Sequence, residues 1–205
     1  ERAMERERTR ISQDMHDELG ANLTSLSMIT EIARRSLTNQ SQADEQLRKA
    51  SDIASETVRR LDEIVWAVNP KADNLANLAA YISEYAQEFF SATPIRLRFG
   101  FPEQMPHVPL ASEVRHSIFL VVKEALNNIV KHSCASEATI GLAVENGLVV
   151  IAIRDNGKGL DASTESQLGN GIRNMRQRIE SVGGKLSVQS SSGSGTIVRM
   201  EIARP

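Results

Sequence analysis

The chain has 205 residues, 24 basic against 26 acidic side chains and a formal net charge of −2; 40% of residues are apolar and 4% aromatic. This suits one large or two small globular domains, and the balanced charge excludes a protein that grips nucleic acid through a bulk basic surface. A single cysteine, Cys134, excludes a disulfide framework and a Cys-rich zinc module and suits a reducing compartment.

No run approaches the ~18 apolar residues of a membrane span, and Glu1–Arg6 lacks an apolar signal-peptide core. From Glu1 to about Asn69 the only glycine is Gly20 and the period is helical. Ile11, Met15, Leu19, Leu23, Leu26, Thr30, Ala33 and Leu37 recur at threes and fours, one stripe along a long helix. Thr38–Gln42 reads as a turn, with Ser41 and Asp44 at capping-box-like spacing. A second stripe follows, Leu47, Ala50, Ala54, Val58, Leu61, Val65 and Val68, and Pro70 ends it. Two long helices joined by a short turn predict an antiparallel hairpin. A hairpin alone has too little core, so two copies pairing into a four-helix bundle, a homodimer, are expected.

Beyond Lys71 the pattern changes. Asn74–Ser91 reads as a helix, Ile95–Phe99 as a strand, Pro102–Pro109 as a loop and Ser112–Lys131 as a strongly periodic helix. Asn146-Gly147 between two apolar strands is a two-residue hairpin signal. A helix near Ile172–Val182 and two strands, Leu186–Ser190 and Thr196–Ala203, complete an order α-β-α-β-β-α-β-β. That order predicts an α+β sandwich, three helices on one face of a mostly antiparallel sheet. The expected division is residues 1–70 and 71–205.

Four patches carry chemistry. In Asp14-Met15-His16-Asp17-Glu18, His16 lies about 100° round the helix from the buried stripe. Gly20, one turn on, costs a helix about 1 kcal/mol against Ala and hints at close approach by another body. His16 could be an imidazole nucleophile with Asp17 holding its proton; a solvated histidine among acids is the commoner arrangement. Glu124 and Asn128 share one face of the long helix, with Lys131 and His132 one turn further. They could hold Mg²⁺ and phosphates, or form a solvated face ending in basic residues. Asp155, leaving an apolar strand into Gly157 and Gly159, could accept a hydrogen bond from a base amine. Gly169-Asn170-Gly171 opens a helix whose N-terminal amides could bind phosphate, yet it is neither a dinucleotide nor a Walker loop.

The order of these patches is more specific than any one of them. Glu124…Asn128, Asp155-x-Gly157-x-Gly159, Gly169-x-Gly171 and Gly195-Thr196 resemble the ATP site of the gyrase, chaperone, histidine-kinase and mismatch-repair (GHKL) superfamily. Set after a hairpin bearing His16-Asp17, the chain resembles a sensor histidine kinase. It is similar to the group in which Asp directly follows the phosphoacceptor His, the nitrate- and membrane-fluidity-sensor type, and Trp66-Ala67-Val68-Asn69-Pro70 also looks like that group.

The resemblance implies a dimerisation and phosphotransfer hairpin followed by an ATP-binding sandwich of the Bergerat type, with ATP and Mg²⁺ as nucleotide and metal. His16 would attack the γ-phosphate and Asp17 would act as base. Asn128 would coordinate Mg²⁺, with Glu124 ordering the metal or a water, and Lys131 and His132 would touch phosphate or ribose. Asp155 would bind the adenine amino group, Gly157 and Gly159 would admit the ring, and Thr196 would support it. Gly169 and Gly171 would hinge a short lid over residues 160–168. The implied partner is the receiver domain of a response regulator, and the implied place is the cytoplasmic portion of a protein anchored in a bacterial inner membrane. Ala21 stands where relatives often carry a Gln that positions water for dephosphorylating the regulator, so weak phosphatase activity is expected.

Overall fold

The computed structural model describes residues 20–33, 40–159 and 170–204. His16, Asp17, Gly169 and the lid expected over residues 160–168 lie outside them. The chain divides into two compact units, Glu1–Asn69 and Pro70–Pro205.

In the first unit, residues 20–33 form helix α1 and Gln40–Val68 form helix α2. The turn expected over Thr38–Gln42 needs correcting: Gln40, Ser41 and Gln42 are already helical. Asp44 reaches forward to Arg48 at 3.0 Å instead of closing a capping box, an i,i+4 pair that a helix surface favours. The buried residues of these helices are mostly small, Ala33, Ala43, Ala50, Thr57 and Ala67, with Glu63 the one large side chain among them. Leu23 and Met28 on α1, and Leu47, Val58, Leu61 and Val65 on α2, stay exposed, Val65 at 64%. The single chain therefore buries small members of the two stripes, Ala33 and Ala50, while most of their larger described members face outward.

The second unit is α+β. A short 3₁₀ turn, Pro70–Ala72, leads into α3, Leu75–Phe90. Asn74 caps that helix, its side-chain oxygen accepting from the Asn77 N–H at 2.9 Å. Then come β1 (Arg96–Gly100), α4 (Ser112–Asn128), β2 (Glu137–Glu145), β3 (Leu148–Asp155), α5 (Asn170–Ser181), β4 (Lys185–Ser190) and β5 (Thr196–Ala203). The sheet order is β1-β2-β3-β5-β4, with β1 parallel to β2 and the other pairs antiparallel. Asn146 and Gly147 turn between β2 and β3 at φ +50° and +77°, the left-handed pair that a two-residue hairpin demands.

Alternation along the strands buries one sheet face. Ile140 pairs with Ile153, Leu142 with Ile151, and Ile151 and Ile153 with Met200 and Val198 on β5. All six are buried, as are Phe119, Val122 and Leu126 of α4 and Met175 and Ile179 of α5. One expectation about α4 is corrected. The α-helix stops at Asn128 and its last turn widens into a π-turn, Ile129–Ser133, ending at Cys134 in a left-handed conformation, φ +55°. The wider turn rotates Lys131 and His132 away from the i,i+4 line through Glu124 and Asn128, and both are exposed.

Candidate functional site

The site is built where α4, the end of β3, the start of α5 and the β4–β5 turn meet. Asp155 is the last residue of β3, opposite Ala138, so the pleat turns its side chain to the helix-covered face. It is buried, at 5% exposure. Gly157 N–H donates to its Oδ1 at 2.8 Å, and the Thr196 backbone N–H also donates to the carboxylate. Burial pushes its carboxyl above the ordinary range, while those two donors pull the other way. The outcome is a buried acceptor facing the layer between sheet and helices, suited to a neutral amine donor.

The backbone around it has little room to spare. A Cβ on Gly157 would lie 2.8 Å from the Ser133 Cβ and strike its carbonyl. Lys158 N–H donates to that same carbonyl at 2.8 Å, so the loop after β3 is laced to the end of α4. Gly195 sits at φ +74°, and a Cβ there would collide with the Asp155 carbonyl. Gly159 lies against the carbonyl of Ser191. The Thr196 hydroxyl pairs with Ser190 Oγ at 3.0 Å, and that Ser190 hydroxyl also reaches the Gly195 carbonyl at 2.9 Å. Thr196 thus serves Asp155 through its backbone while its hydroxyl holds the turn.

Glu124 and Asn128 sit four residues apart on α4, both half-buried. A Cβ on Gly171 would fall 2.5 Å from Glu124 Oε1. The carboxylate therefore rests on the first turn of α5, where the helix dipole favours an anion. Contacts run continuously from Gly171 to Glu124, along α4 past Asn128 to Ser133, and on through Gly157 to Asp155 and Thr196. The carboxylate and the carboxamide are the hard oxygen donors that magnesium takes. Among the described residues no group of three or more His, Cys, Asp or Glu side chains could hold a metal ion by itself. The donor set fits a magnesium ion that completes its shell with phosphate oxygens and water.

Some contributors were not anticipated. Ser133 and Ser190 brace the glycine loops. Asn156, inside the Asp155 motif, turns away from the site: its Oδ1 accepts from the Ser136 and Glu137 N–H groups at 3.0 and 2.9 Å and closes the β2–β3 end. Only the Gly195-Thr196 neighbourhood had a sequence signal.

Comparison with known proteins bears directly on this arrangement. A family model described as histidine kinase matches residues 7–73. A second, described as histidine kinase-, DNA gyrase B-, and HSP90-like ATPase, matches residues 113–205. The two follow one another along the chain. The chain belongs to the histidine kinase family. The kinase is 26% identical over 200 residues to the sensor histidine kinase LiaS of Bacillus subtilis, covering 96% of this chain and 54% of LiaS. It is 26% identical over 194 residues to the nitrate/nitrite sensor protein NarQ of Escherichia coli, covering 94% of this chain and 34% of NarQ. The chain spans about half the length of LiaS and less of NarQ. Among solved structures, the histidine kinase domain of the blue-light activated kinase EL346 from Erythrobacter litoralis superposes with TM-score 0.58 at 21% identity, covering 97% of this chain and 94% of that one. That likeness shows the shared fold.

Proposed function

We propose that this chain is the catalytic core of a two-component sensor kinase: it uses Mg²⁺-ATP to phosphorylate His16 and passes the phosphoryl group to an aspartate of a receiver domain. The observation that carries the reading is the buried Asp155, backed by Gly157 and Gly195 and joined through Ser133 and α4 to Asn128 and Glu124. Residues 1–70 act as the dimerising phosphotransfer hairpin and 71–205 as the ATP-binding domain. Asp155 takes the adenine amine, with Gly157, Gly159 and Thr196 shaping the pocket. Asn128 holds the metal and phosphates, and Glu124 orders the water around them. Lys131 and His132 meet phosphate or ribose at the rim, and Gly169 and Gly171 hinge the cover.

In the transfer, an imidazole nitrogen of His16 forms a bond to the γ-phosphorus as the bond to the bridging oxygen breaks. ADP departs with that electron pair, and the imidazole proton passes to Asp17. When bound, magnesium neutralises charge on the phosphate oxygens. The receiver aspartate then attacks the phosphorus, and His16 is released. The exposed Leu47, Val58, Leu61 and Val65 support a homodimer, in which a second copy covers them. Among the described residues no helix is long and apolar enough to cross a membrane; we place this portion in the cytoplasm, joined to an anchored sensor, and give it no direct nucleic-acid partner. Incubation with γ-labelled ATP tests the reading: label should enter with magnesium and be lost with a chelator. Acid-stable label on serine or threonine would replace it with a serine-kinase reading.

A further inference from the structure

Arg115 stands on the inner stripe of α4 with Phe119, Val122 and Leu126, and it is the one charged side chain among the largest fully buried ones of the described residues, at 0% exposure. Its Nη2 meets Asp73 Oδ1 at 3.0 Å. Asp73 lies four residues beyond Asn69, the last residue of the first unit. The segment around it is tied down at every step. Leu110 N–H donates to the Asp73 carbonyl at 3.1 Å, and Leu75 N–H to the Val108 carbonyl at 2.9 Å. Asn74 and Pro109 form an antiparallel bridge, and Asn77 Nδ2 donates to the Lys71 carbonyl at 3.0 Å. Leu75, Val108 and Leu110 are buried beneath these bonds.

An ion pair whose arginine is fully buried and whose aspartate is only partly so is a poor device for stability alone, since packed apolar side chains of the same volume hold as well, and the best-attested use of such pairs is to fix register. We propose that Asp73 and Arg115 are a positioning pair that locks the chain leaving α2 onto α4. Arg115 lies nine residues before Glu124 and thirteen before Asn128 on that one helix, roughly 14 and 20 Å along its axis. The chain from the hairpin therefore enters the ATP unit at a fixed point. This rests on the kinase reading only for its consequence in phosphotransfer.

The test compares the whole chain with Asp73→Asn and with the apolar double variant Asp73→Leu/Arg115→Met. Hydrogen exchange needs no activity: the Leu75 and Leu110 amides should exchange at least tenfold faster in Asp73→Asn, with those of β2 and β3 unchanged in both variants. In γ-label assays the rate of His16 labelling should fall at least tenfold while KM for ATP stays within twofold, a split that general loosening of the ATP unit would not produce. Unchanged exchange at Leu75 and Leu110 would overturn the lock. Faster exchange with an unchanged labelling rate would overturn its positioning role. Loss of folding in both variants would make the pair structural and overturn the proposal. A wild type that binds nucleotide yet leaves His16 unlabelled would remove the kinase reading, and exchange alone would then decide the lock.

Discussion

Asp155 concentrates the chemistry of the nucleotide side in one carboxyl. Replacing it with Asn keeps the shape but turns an acceptor into a mixed donor and acceptor facing an amine. Asp155→Asn should weaken binding of an ATP analogue at least 100-fold by calorimetry without unfolding the chain; near-normal affinity would remove Asp155 from the site. The same variant has a pH signature. Burial raises the folded carboxyl above its ordinary value of 3.8, so between the two values the folded state keeps a proton that the unfolded state has released. The stability from this group is complete below about 3.8 and is lost as pH rises through the raised value. Denaturation midpoints of the variant should therefore gain on the wild type as pH rises past 3.8, and the opposite slope would contradict the burial argument. The residue was legible as an acid leaving an apolar strand into a glycine-flanked turn. Its Thr196 support was not, because a backbone donor leaves no trace in side-chain identity. Arg115 left a trace that is plain once seen: a cation on the apolar stripe of its helix.

At the scale of elements, strong periods and turn chemistry transferred well. The Asn74 cap, the Asn146-Gly147 hairpin and the alternation of β2 and β3 all correspond to local signals, and the structure follows them. The π-turn at Ile129–Ser133 had no such signal, since one added residue per turn leaves apolar spacing almost unchanged over five residues. Ser41 misled because a capping residue is also tolerated inside an exposed helix. The stripes of α1 and α2 were read as apolar faces that one hairpin cannot bury, and their larger members are exposed in the single chain, since periodicity tells which residues share a face and not which copy covers it. Val65→Asp places a charge on that outward face. It should shift the chain from dimer to monomer in light scattering and cut His16 labelling at least tenfold, with the ATP unit still folded. A variant that stays dimeric would move the interface elsewhere.

The whole molecule pairs a helical unit with an α+β unit, and its proposed activity needs both. The order of the motifs carried the family reading, whereas no single patch did, because each is also an ordinary feature of a surface helix or a glycine turn. The helical unit also bears on what the kinase does after transfer. Ala21 is exposed on α1 and has no group to orient water. Ala21→Gln should raise the rate of dephosphorylation of a phosphorylated receiver domain severalfold while leaving His16 labelling unchanged, as read by loss of phosphoreceiver over time. No change would show that the missing amide is not what limits phosphatase activity. The most direct measurement of the central claim is incubation of the purified chain with Mg²⁺ and γ-labelled ATP beside His16→Gln. Acid-labile, alkali-stable label in the wild type and none in the variant is the predicted result. Label of equal amount in both, or label that survives acid, would contradict it.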